Sequence, residues 1–121
     1  MSATLIIIAR LLLGGAFIVF GIRNIKNIPR LAGVIAERGV PMPKVAAWIG
    51  VILQLLAGVL TFYGPFGVIG GICGIVFVYV AVYLFHQFWS FEGAERVPHF
   101  NAWVMNTALA GGFLMVIATS L

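Results

Sequence analysis

The sequence predicts an all-α protein, a transmembrane four-helix bundle with a short amphipathic interfacial helix between its first and second spans. Three observations carry this. Of the 121 residues, 63% are hydrophobic and only 8% charged, against about 25% charged in soluble domains. Four separate stretches approach the roughly 20 apolar residues that a bilayer-crossing helix needs. Within them the apolar runs are continuous rather than alternating, which selects helices over strands. Ten charged side chains cannot cover a core of this size with a polar surface, so the partner of this chain is the lipid bilayer.

The four spans fall at about 4–22, 45–63, 67–85 and 102–120 and make one integral membrane domain over 1–121. The second and third are joined by FYGPFG, where Gly64 and Pro65 interrupt the helix, so these two should pack as an antiparallel hairpin. Between the first two spans, Pro29 suits a helix start, and Leu31, Val34, Ile35 and Arg38 follow at helical spacing until Gly39-Val-Pro. Residues 30–38 are therefore expected to form an amphipathic helix in the headgroup region. Residues 86–101 (HQFWSFEGAERVPHFN) mix aromatic and charged side chains as an interfacial loop does.

The net charge of +4 is no nucleic-acid signature, because five of the seven basic residues lie between Arg23 and Lys44. Loops 23–44 and 86–101 hold six Lys/Arg residues, and the opposite ends and turn hold none. The positive-inside rule then places both chain termini outside and both long loops in the cytoplasm. The opening MSATLIIIARLLLGG lacks a basic n-region and an A-x-A site, so its retention is expected. Cys73 is the sole cysteine, which excludes a disulfide or CxxC chemistry within one chain.

Each span carries a stripe of small residues together with a polar group. On the first, Arg10, Gly14, Phe17 and Gly21 share a face. Gly50, Gln54 and Gly58 do so on the second, Gly67, Gly70 or Gly71, and Gly74 on the third, and Asn106, Ala110, Phe113 and Ile117 on the fourth. Lipid is as apolar as leucine, so helices associate by close backbone approach, and these stripes should point inward.

Arg10 lies about 9–10 Å along its helix at ~1.5 Å per residue. Two outcomes stay open: snorkelling to phosphates, or an inward guanidinium bonded to Gln54, a carbonyl, the C-terminal carboxylate or a ligand. Its shared face with Gly14 and Gly21 favours the inward one. A second set gathers at the far end, where Tyr79, Tyr83 and His86 fall at i, i+4, i+7, with Asn106 nearby and Trp89 and Trp103 beside them. Such a set forms either an aromatic belt or a pocket for a quinone or lipid head, with His86 and Asn106 as hydrogen-bond partners. No metal is expected, since His86 and His99 are the only histidines and nothing resembles zinc spacing; a haem held by one or both histidines stays open. No nucleophile sits beside a base and no acid pair occurs, so no catalytic residue is assigned, and the spans hold none of the carboxylates of a proton relay.

The stretches ARLLLGGAFIVFG, RGVPMP, GVILQLLAGVLTFYG, FHQFW and MNTALAGGFL, in this order and spacing, resemble the DoxX family of small four-helix bacterial membrane proteins. The resemblance implies a compact bundle in the bacterial cytoplasmic (inner) membrane. Some members are subunits of thiosulfate:quinone oxidoreductases and others are linked with oxidative-stress proteins. Relatives often carry Glu where this chain has Gln54, and Lys where it has Met105. Both departures remove an ionisable group and fit a binding or structural subunit better than a proton-coupled one. The expected function is an accessory or anchoring subunit of a membrane-associated redox complex, with a quinone or lipid between helices. The alternatives are a quinone-linked oxidoreductase component acting on a sulfur compound, and a small-molecule transporter working as a homo-oligomer, since four helices are few for alternating access.

Overall fold

The computed structural model describes residues 2–121. Five α-helices follow one another: α1 (Ser2–Lys26), α2 (Ile28–Glu37), α3 (Pro43–Phe62), α4 (Gly67–Phe85) and α5 (Arg96–Ala118). Four of them, α1, α3, α4 and α5, are long and apolar enough to cross a membrane. A 3₁₀ turn at Gly64–Phe66 joins α3 to α4, as the helix-breaking Gly64 and Pro65 require.

Two helices run further than their apolar stretches suggest. α1 continues to Lys26 with Arg23 and Lys26 in its last turn, where cations complement the negative helix end. α5 begins at Arg96 rather than near 102. Pro98 occupies its opening turn, where a missing N–H breaks no helical bond. The amphipathic helix expected at 30–38 is α2, and it starts at Ile28 with Pro29 in its first turn. It stops at Gly39, whose φ of +79° is the left-handed conformation that closes many helices, with Gly39 N–H donating to Ala36 O.

The long helices pack in the order α1, α3, α4, α5, with α2 lying across α3 and touching the end of α4; α1 and α5 meet only sparingly. The inward stripes are the buried ones: Arg10, Gly14, Phe17 and Gly21 on α1, Gln54 and Gly58 on α3, Gly67, Gly70, Gly71 and Gly74 on α4, Ala110 and Phe113 on α5. Gly14 and Gly58 fix the α1–α3 crossing, because a methyl on either would stand 2.7–2.8 Å from the other's carbonyl oxygen. Phe113 fills the space left by Gly74 and meets Phe17 edge-on at 4.8 Å, so these rings close the middle of the bundle. Gly50 departs from its expected place in the stripe: a side chain there would meet nothing within 4 Å, since α3 packs from Val51, Gln54 and Ala57 inward. A second apolar cluster, Ile28, Ile35, Ala47 and Val51, seats α2 on α3.

Candidate functional site

Arg10 turns inward and is only 6% exposed. The tight Gly14–Gly58 contact sets an antiparallel register between α1 and α3. That register brings the last turn of α3 opposite Arg10. Its Nη1 donates to Thr61 O at 3.1 Å; its Nη2 donates to Thr119 Oγ1 at 3.2 Å and to Ser120 Oγ at 2.7 Å. Gly67 at the start of α4 lies against the same guanidinium, since a methyl there would stand 2.8 Å from Nη1. One side chain therefore ties four helices together.

The charge is balanced without a carboxylate side chain. Glu37, Glu92 and Glu95 all lie at the other end of the bundle, on α2 and the α4–α5 connection. What faces the guanidinium is one carbonyl oxygen and two hydroxyl oxygens. Thr61 O belongs to the last turn of α3, where helix carbonyls lack intrahelical partners. Ser120 Oγ and Thr119 Oγ1 in turn donate to Val116 O at 2.6 Å and Met115 O at 2.8 Å, in the last turn of α5. Two helix C-termini, each carrying about half a negative charge, thus act as the counterion. Within this hub Thr61 Oγ1 is fully buried and finds no hydrogen-bond partner among the described residues.

Beside the hub, the gap between α1 and α5 forms an open cleft of about 670 Å³. Its walls are apolar, among them Leu5, Ala9 and Leu13 of α1 and Leu109, Gly112 and Met115 of α5, and Arg10 and Thr119 are its polar members. The cleft follows from the packing order: every other neighbouring pair of long helices is drawn together by glycine, whereas Gly15 and Gly111 face open space.

Gln54 does not pair with Arg10. It is buried (5% exposed) seven residues before Thr61, about 10 Å along α3, and accepts from Asn24 Nδ2 at 2.9 Å. The remaining polar residues form a third group at the far end. Tyr79, exposed, donates to Thr107 Oγ1 at 3.3 Å; Tyr83 and Trp89, also exposed, lie 6.1 Å apart. His86 is half-buried with its Nδ1 3.0 Å from Nδ1 of His99, and its carbonyl accepts from Trp103 Nε1 at 2.6 Å. Asn106 bonds back to Ala102 O of its own helix at 2.7 Å, away from His86. Among the described residues no three metal-ligating side chains come together.

The sequence reasoning missed Thr61, Thr119 and Ser120 as partners of Arg10, Asn24 as partner of Gln54, and His99 as partner of His86. A signal existed for two of them: Thr119 and Ser120 are hydroxyl residues at the end of the last span, level with Arg10 on an oppositely running helix. For Thr61 the partner is a backbone oxygen, which no residue type announces.

The DoxX family model matches residues 5–87. The chain belongs to the DoxX family. The inner membrane protein YphA of Escherichia coli (strain K12) is 28% identical over 115 residues, covering 95% of this chain and 82% of that protein. No solved structure matches. With four apolar helices of spanning length and this relative, the DoxX chain is a multi-pass integral protein of the bacterial inner membrane. The matched region contains the Arg10 hub up to α4 and stops at Gln87, so α5 with Thr119 and Ser120 lies beyond it.

Proposed function

We propose that this DoxX protein is an accessory, anchoring subunit of a membrane-associated redox complex, and that the α1–α5 cleft lodges the tail of a quinone or lipid. The observation that supports this most is the meeting of an apolar, membrane-level cleft with a buried guanidinium. The long apolar walls suit an isoprenoid or acyl chain, and such sites usually carry few polar groups. A guanidinium has more N–H donors than its three protein bonds use, so a head bearing a carbonyl or anionic oxygen finds donors at Arg10. In this reading α1 starts and α5 ends outside, and the basic 23–44 segment faces the cytoplasm.

Purification in mild detergent followed by organic extraction tests the cleft and the partner together. The expected result is a stoichiometric quinone or lipid, told apart by mass, with a co-purifying membrane or redox subunit. Gly112→Phe fills the cleft with ordinary contact to Leu13, whose Cδ2 lies 3.5 Å from a methyl at that position; it should lower bound ligand at least about tenfold, which is ~1.4 kcal/mol of lost affinity, without loss of folding. A ligand-free monomer from native membranes would sink the reading.

A further inference from the structure

The junction of α4 and α5 holds a histidine pair for which the proposed function has no use. His86 caps α4, and His99 stands in the opening turn of α5. Their Nδ1 atoms are 3.0 Å apart, while the ring centroids are 5.2 Å apart. The centroid separation exceeds the nitrogen separation by nearly two ring radii, so the nitrogens face each other end on. Rings aimed at a shared metal ion would tilt toward a point off that line and bring their centroids nearer. The contact is therefore an N–H···N hydrogen bond, in which one Nδ1 carries a proton and the other offers its lone pair.

Such a bond accepts one added proton and not two. The first goes to an outer Nε2 and leaves a charge-assisted bond in place. The second must take the acceptor Nδ1 lone pair, which deletes the bond and sets two cations against each other. The neighbouring charges oppose that step. Arg38, just past α2, donates to Leu84 O at 2.9 Å, two residues before His86. Arg96 of α5 sits 5.2 Å over the Phe88 ring. Glu92 and Glu95 on the connection are exposed, and Tyr83 of α4 packs on Trp89. Burial, and then His99, hold the His86 imidazole, just past the end of α4, below its ordinary value.

We propose that the His86–His99 pair is an acid-sensitive latch on the 86–95 connection. The connection is held at this point: Phe91 stacks on His99 at 4.2 Å and 13°, Trp103 donates to His86 O, and Phe88 lies edge-on to Trp103 and Phe100. Opening takes up a proton. The latched state is fully stable above the ordinary histidine value of 6.5 and loses stability as pH falls below it. Between that value and the lower pH at which the latched pair itself takes its second proton, each pH unit raises the open population about tenfold.

Amide hydrogen exchange of the protein in lipid nanodiscs, taken from about pH 8 to about pH 5, reads this directly. After correction for intrinsic exchange, amides 88–95 should speed up by roughly tenfold per unit in the acid range, with α3 unchanged. His99→Gln keeps a hydrogen-bonding group without titrating, so its profile should stay flat. A flat wild-type profile, or the same acid rise in His99→Gln, would overturn the latch. Imidazole nitrogen spectra of the wild type give a reading that needs no variant: the latched form must show one protonated and one bare Nδ1, and two protonated Nδ1 atoms beside a protected connection also refute it.

Discussion

Thr61 carries two oxygens with opposite fates. Its carbonyl accepts from Arg10, while its hydroxyl is buried without a partner among the described residues. An unpaired buried hydroxyl costs about 1–3 kcal/mol. Thr61→Val keeps the carbonyl, the shape and the Arg10 bond and deletes the orphan. It should stabilise the protein by about 1 kcal/mol, seen as a higher melting temperature in detergent. A lower one would mean that the hydroxyl binds water or a ligand inside the hub. Legibility at this scale was uneven. The inward turn of Arg10 followed from its place among Gly14, Phe17 and Gly21, but its acceptors did not. Gln54 looked close to Arg10 because depth was counted from span ends, whereas the register is set by which backbones touch.

At the scale of the helix pair, the small-residue stripes explain three seams and leave one absent. Gly58→Ala puts a methyl 2.8 Å from Gly14 O and 2.8 Å from Ile18 Cγ1. A carbonyl of an opposing helix cannot rotate away, so α1 and α3 must part, and overpacking of this kind costs about 1–3 kcal/mol. Gly111→Ala meets nothing within 4 Å and should be neutral or slightly stabilising. Thermal unfolding of the two variants separates them; equal melting temperatures would refute the seam. The stripes were visible as four-residue recurrences in the sequence. Which stripe met which was not, because the recurrence names a face and no neighbour. The early start of α5 was hidden for another reason: its first turn is polar and aromatic, and an apolar run marks the hydrocarbon core rather than the helix.

For the whole molecule, the basic 23–44 segment and the α4–α5 connection share one end, tied by Arg38 to Leu84 O, and Arg10 governs the other. The charge asymmetry predicts an orientation that reporter fusions decide. A periplasm-active phosphatase fused after Leu121 should be active, and a cytoplasm-dependent fluorescent protein at the same position dark. The reverse pattern would invert the proposed topology and place the Arg10 cleft on the cytoplasmic side.

Composition and run length by themselves determined that this is a helical membrane protein with four apolar spans and an amphipathic α2, because the lack of water in a bilayer leaves a continuous apolar run little choice but a self-bonded helix. Only the tertiary structure decided that α1 and α5 stay apart, that two helix ends neutralise Arg10, and that His86 meets His99. Those outcomes depend on backbone oxygens and on the register of close glycine contacts, which side-chain identity along one chain does not encode locally.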